Sequence, residues 1–213
     1  MRRRLIARRL QQLEFNMLKY IALVAAFATT SAFAAAPSQL YVTAGIGQSQ
    51  YKDACEIEVG NCEDTDTAFR VGVGIPMQEN IAFEINYINH GEAVDDYVDG
   101  AFFDHYSVES QTLALQIAAT APLNNAVALF GKLGLAQTKT TLENRYDLGF
   151  ISGNDSEDSN EAGLIVSAGA SIELMPNLNA QLQLDYLPKA IKSEATDFES
   201  DIQSYSVGLQ FNF

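Results

Sequence analysis

The sequence predicts an all-β protein, eight antiparallel strands closed up-and-down into a transmembrane β-barrel. Three observations carry that prediction. Eight runs alternate apolar residues with small or polar ones, which places one set of side chains on each face of a strand. The breaks between the runs are alternately short and long, as tight turns on one side of a membrane and large loops on the other require. The acidic residues gather in the long breaks and leave the apolar faces uncharged.

Residues 1–36 read as an export signal. Met17-Leu18-Lys19 supplies a start and a positive charge, Tyr20–Phe27 is apolar, and Ala32-Phe33-Ala34 is a small-residue cleavage site, with Ala34-Ala35-Ala36 a second. Cleavage is expected after Ala34 or Ala36, with Arg2, Arg3, Arg4, Arg8 and Arg9 forming an extended basic leader or marking an upstream start. The whole chain has 13 basic and 27 acidic residues. Losing residues 1–34 removes six and one of these, leaving 7 and 26 and a net charge of −19. Nucleic acid is excluded as a partner, because phosphates need a basic surface.

The barrel is expected over residues 37–213. Its first strand runs through Leu40, Val42, Ala44 and Ile46. A long break, Tyr51–Thr67, holds the only cysteines, Cys55 and Cys62, which are expected to form a disulfide in an exported chain. Strand two carries Phe69, Val71, Val73 and Ile75 opposite Arg70, Gly72 and Gly74. After a short turn at Pro76–Asn80, strand three carries Ile81, Phe83, Ile85 and Tyr87. The long break Gly91–Ser107 leads to strand four, with Leu113, Leu115 and Ile117. The turn Pro122–Asn125 leads to strand five, where Leu129, Leu133 and Leu135 lie opposite Phe130, Lys132 and Gly134. Leu142–Asn160 is the third long break. Strands six (Leu164–Ile172) and seven (Leu178–Tyr186) flank the turn Met175–Asn177, and Pro188–Ser200 is the fourth long break. Tyr205, Val207, Leu209, Phe211 and Phe213 form the closing strand and a C-terminal assembly signal.

The polar faces decide what surrounds the barrel. They are mostly Gly, Ser, Ala, Asn and Gln, which suit the narrow interior of eight strands. A soluble barrel would carry many charges there. Phe69, Tyr87, Tyr186 and Tyr205 at one end, and Phe211 and Phe213 at the other, match two interfacial girdles. A soluble barrel holding apolar cargo is the alternative, and the polar lumen opposes it.

Three stretches carry the family resemblance. They are Cys62-Glu-Asp-Thr-Asp-Thr-Ala-Phe-Arg-Val-Gly-Val-Gly, Asn80-Ile-Ala-Phe-Glu-Ile-Asn-Tyr-Ile-Asn-His-Gly and Phe130-Gly-Lys-Leu-Gly-Leu-Ala. They resemble the OmpA-like outer-membrane β-barrel family, with the likeness spanning residues 38–213. It implies a Gram-negative outer membrane, both termini in the periplasm, and insertion by the barrel assembly machinery into lipid and lipopolysaccharide. No counterpart of the peptidoglycan-binding domain of larger members follows strand eight, so wall tethering is not carried over.

The lumen residues Arg70, Glu84, Lys132, Glu173 and Asp185 are expected to pair as a plug, since an unpaired buried charge is costly. The resemblance offers a narrow ion path as the other reading. His105-Tyr106-Ser107 with Glu109 has the residue types of a small-barrel lipid deacylase but lacks the surrounding motif, so no catalytic residue is assigned. Asn154–Glu161 is rich in carboxylates but has no calcium-loop spacing. No metal or cofactor is expected. The reading is a monomeric, non-enzymatic envelope protein displaying four acidic loops, with adhesin-type or receptor-type binding through those loops as the alternative.

Overall fold

The computed structural model describes residues 40–52, 61–99, 102–147, 152–193 and 198–213. The export signal expected in residues 1–36 lies outside the described residues. The elements are β1 (Tyr41–Tyr51), β2 (Asn61–Glu63), β3 (Thr65–Gln78), β4 (Ile81–Asp99), β5 (Phe102–Pro122), β6 (Val127–Asp147), β7 (Ser152–Met175), β8 (Leu178–Ser193) and β9 (Phe198–Asn212). Every pairing is antiparallel. The order β3-β1-β9-β8-β7-β6-β5 is closed by β4, which pairs with both β3 and β5.

The wall has eight members, although the described residues form nine strands. The short β2 pairs only with the outer part of β4, Cys62 opposite Asp95, and Asp64 alone separates it from β3. β2 and β3 are therefore two pieces of one wall strand. The seam joins β1 to β9 from Tyr41 opposite Asn212 to Tyr51 opposite Ile202. Beyond it, the Phe213 N–H donates to the Leu40 carbonyl (3.0 Å). Closure leaves no open edge along this stretch, the condition for a sheet to cross lipid.

Alternation sorts the two faces. Val42, Ile46, Val71, Val73, Ile85, Leu113, Leu133, Leu182, Val207 and Leu209 are all exposed on the outside. Together they form the apolar belt that only lipid can cover. Among the described residues no helix is long and apolar enough to cross a membrane, so the crossing is made by strands. Aromatic pairs mark the belt's margins: Phe69 with Tyr87 (centroids 6.1 Å) and Phe211 against Phe213 edge-on (5.1 Å).

The breaks at Gly91–Ser107 and Leu142–Asn160 are not loops for most of their length. β4 and β5 stay paired from Glu92 opposite Glu109 to Asp99 opposite Phe102. β6 and β7 stay paired out to Asp147 opposite Ser152. β7 has 24 residues, about 80 Å at ~3.3 Å per residue, whereas ~9–11 residues cross the hydrocarbon layer. Outside lipid the outer face of a strand meets water. The apolar–polar contrast then disappears while the backbone ladder continues.

Two fillings occupy the barrel's inside. Toward the long-hairpin end, Tyr51, Ile88, Val108, Ile165, Leu187 and Ile202 pack into one apolar cluster. Toward the short-turn end the interior is polar. Glycines make room there: the Tyr41 ring lies where a Cβ on Gly74 would stand, and the Leu182 carbonyl together with the Phe130 ring occupies that place at Gly169. A larger residue at Gly74 would push the Tyr41 ring off its seat, and one at Gly169 would strike both the β8 backbone and the Phe130 ring.

Candidate functional site

The polar half of the lumen is an ion-pair layer built from strands all around the wall. Lys132 on β6 reaches Glu84 on β4, Nζ to Oε2 2.7 Å, with both side chains almost wholly buried. Arg70 on β3 faces Asp185 on β8 at 3.6 Å. Asn86 ties the two pairs together. Its Oδ1 accepts from Arg70 Nη2 (3.1 Å), and its Nδ2 donates to Glu84 Oε2 (3.0 Å) and Gln116 Oε1 (2.9 Å). Gln116 passes the chain on to Ser167 Oγ (2.8 Å). The Tyr41 hydroxyl donates to Glu84 Oε1 (2.6 Å), and Gln183 Nε2 donates to Asp185 Oδ1 (2.5 Å). The Lys132 ammonium also lies 4.9 Å from the Phe130 ring centroid. Two buried cations face two buried anions. Arg70, Glu84 and Asp185 have neutral hydrogen-bond partners besides their counter-ions, and Lys132 has the Phe130 ring. That is the condition under which buried charge is tolerable.

Four of the five lumen residues read from the sequence are brought together here, and Glu173 is not. It is solvent-exposed and lines the open mouth at the short-turn end, where water takes the place of a counter-ion. The mouth is a cavity of about 330 Å³ with Tyr41, Glu84, Phe130 and Lys132 among its lining. The lumen is thus open from the turn side as far as the ion pairs.

Beyond the ion pairs lies a layer the sequence analysis missed. His90 is fully buried, its Nδ1 3.0 Å from Ser49 Oγ and 3.1 Å from Ser204 Oγ, its Nε2 2.9 Å from Thr112 Oγ1. Thr112 in turn meets Thr138 (2.9 Å), so one imidazole links the β1–β9 seam to the opposite wall. A bulge between Asn89 and Glu92, with Gly91 at φ 74°, re-aims the strand beside His90. That left-handed conformation favours glycine. The available signal was His-Gly at the end of an alternating run.

The other candidates separate. His105 Nδ1 meets Asp96 Oδ1 across the hairpin (2.5 Å), whereas the exposed Glu109 accepts from Gln111 (3.0 Å). The carboxylate beside His105 is therefore not the one the sequence pointed to. Cys62 sits on β2, and Cys55 lies outside the described residues. Tyr205, Val207, Leu209, Phe211 and Phe213 all face outward on the closing strand. On the outer hairpin, the Thr141 hydroxyl (2.8 Å) and the Lys139 ammonium (3.4 Å) hold the Asp158 carboxyl below the ordinary carboxylate range. No group of three or more metal-ligating side chains occurs among the described residues.

Residues 20–213 match the outer membrane protein beta-barrel domain family. Solved structures with the same fold include Ail, the attachment invasion locus protein of Yersinia pestis, in complex with the heparin analogue sucrose octasulfate. It has 15% identity, 83% of this chain and 99% of that chain covered, and a TM-score of 0.51. A major outer membrane protein of Thermus thermophilus is similar at 17% identity, with 84% and 100% covered and a TM-score of 0.51. The N-terminal β-barrel domain of Pseudomonas aeruginosa OprF is similar at 13% identity, with 83% and 99% covered and a TM-score of 0.50. No curated protein matches the chain. With its closed eight-stranded wall, lipid-facing belt and matching domain, the chain belongs to the outer membrane protein beta-barrel domain family, among the small barrels of the OmpA-like kind.

Proposed function

We propose that this protein is a non-enzymatic display scaffold of the Gram-negative outer membrane. It is exported by the signal in residues 1–36, placed by the barrel assembly machinery, and holds both termini and the short turns in the periplasm. The observation that carries this reading is the division of charge along the barrel axis. The ion pairs and apolar cluster fill the lumen, while the described part of the β6–β7 hairpin exposes Asp155, Glu157 and Asp158 beyond the belt. A plugged lumen leaves the hairpins as the part that meets other molecules. The closing-strand stripe ending at Phe213 serves as the assembly signal, a Cys55–Cys62 disulfide staples the first loop, and the barrel works as a monomer amid lipopolysaccharide.

A binding role follows from the same hairpins, and their charge restricts the ligand. The Ail structure above holds a polysulfate, and a polyanion would be repelled by the acidic hairpin of this chain. The complementary class is cationic. Labelling tests the display. With Ser156→Cys, intact cells treated with a membrane-impermeant maleimide should react as fully as lysed cells. Reaction only after lysis would overturn it.

A further inference from the structure

The wall is uneven around its circumference. β5, β6 and β7 have 21, 21 and 24 residues, whereas β1 has 11 and meets β9 only from Tyr41 to Tyr51. The β1–β9 seam also joins the two ends of the barrel sequence, with Ser49 and Ser204 lying 155 residues apart. Its closure therefore costs more chain entropy than that of any hairpin in the wall. The inner face of the seam has little to hold it. Paired there are Gly45 with Gly208 and Gly47 with Ser206, and a glycine offers no side chain for a cross-strand contact.

Two side chains from other strands fill that gap. Arg70 on β3 lies opposite Gly45, and its Cγ and Cδ stand 3.2 and 3.4 Å from where a Cβ on Gly45 would be. Its guanidinium then reaches Asp185 on β8 (3.6 Å). In the order β3-β1-β9-β8 this pair spans both seam strands. A second tie lies nearer the long-hairpin end. Ser49 and Ser204 face each other across the seam, Oγ to Oγ 2.6 Å, and His90 Nδ1 from β4 meets both hydroxyls. The remaining interior ties lie elsewhere, Lys132–Glu84 spanning β5 and Gln116–Ser167 spanning β6. Those two strands already share a ladder from Phe103–Asp147 to Pro122–Ala128.

We propose that Arg70 with Asp185, and His90 with Ser49 and Ser204, are inner latches on the closing seam, and that without them β1 parts from β9 while the rest of the wall stays paired. The latches act on the wall alone and are independent of what the hairpins meet. The test is amide hydrogen exchange on the full barrel in lipid nanodiscs, which reads local opening strand by strand. Arg70→Leu with Asp185→Leu removes the first latch without leaving a lone charge. Exchange of the seam amides in Gly45–Ser49 and Ser204–Gly208 should then rise roughly tenfold or more, while amides around Leu115 and Leu135 on β5 and β6 stay within about threefold. Lys132→Met with Glu84→Gln removes the other ion pair and should leave the seam within the same threefold. An unchanged seam, an equal rise on β5 and β6, or an equal seam response to the Lys132–Glu84 variant would each overturn the proposal. If the paired leucines prevent folding, Ser49→Ala with Ser204→Ala carries the same contrast through the second latch. Seam amides alone should quicken, and a uniform or absent response would overturn the proposal.

Discussion

Replacing Lys132 by methionine is expected to destabilise the barrel by about 3–5 kcal/mol, the range for removing one partner of a buried pair. The volume is nearly kept, so the loss reports charge. Glu84 would stay buried with only the Tyr41 hydroxyl and Asn86 amide to hold its anion, and its 2.7 Å counter-ion would be gone. Adding Glu84→Gln should recover the larger part, because an amide needs no counter-ion and still accepts from Tyr41. The measurement is urea unfolding in phospholipid vesicles followed by circular dichroism, since the chain has no tryptophan to report. If the double variant were as unstable as Lys132→Met alone, the pair would not be a coupled unit.

Leu182→Arg is expected to cost about 2–4 kcal/mol in the same vesicles, as a cation does at the bilayer midplane. Leu182 is 59% exposed on the outer face of β8, between Ala170 and Val207. It lies midway between the turn at Pro176–Asn177 and Tyr186 at the outer margin. In a water-soluble barrel the change would fall within about 0.5 kcal/mol, as surface substitutions do. Asp155→Arg, beyond the belt, supplies that comparison within one molecule. Similar small effects at both positions would remove lipid from the outer face.

How much of this was legible in the sequence depends on what surrounds each strand. Ile81, Phe83, Ile85 and Tyr87 announced a strand because one face meets lipid and the other a polar lumen. The same alternation placed Arg70, Glu84, Lys132 and Asp185 inside, where they pair. Past the belt, Val94–Asp96 and Glu143–Tyr146 have no fully buried face, so nothing in the residue order separated a paired hairpin from a loop. The inner apolar cluster was hidden for a related reason. Ile88, Ile165 and Leu187 are apolar residues in the polar phase, and only the folded register shows them meeting Tyr51 and Ile202. His90 shared the phase of Glu84 and Asn86, but Ser49, Ser204, Thr112 and Thr138 come from four other strands. Glu173 shared the phase of the ion-pair layer and fell outside it, because height along the barrel is set by turn position and strand tilt, which alternation does not encode.

The central claim is a lipid-embedded barrel whose lumen is shut by the Lys132–Glu84 and Arg70–Asp185 layer and the apolar cluster beyond it. Current recording across planar bilayers holding the purified full barrel addresses it most directly. An eight-stranded lumen is wide enough only for its own side chains, so the membrane should carry no steady current above that of the protein-free bilayer. A sustained, stepwise, large conductance would contradict the plug and with it the reading of this protein as a closed scaffold.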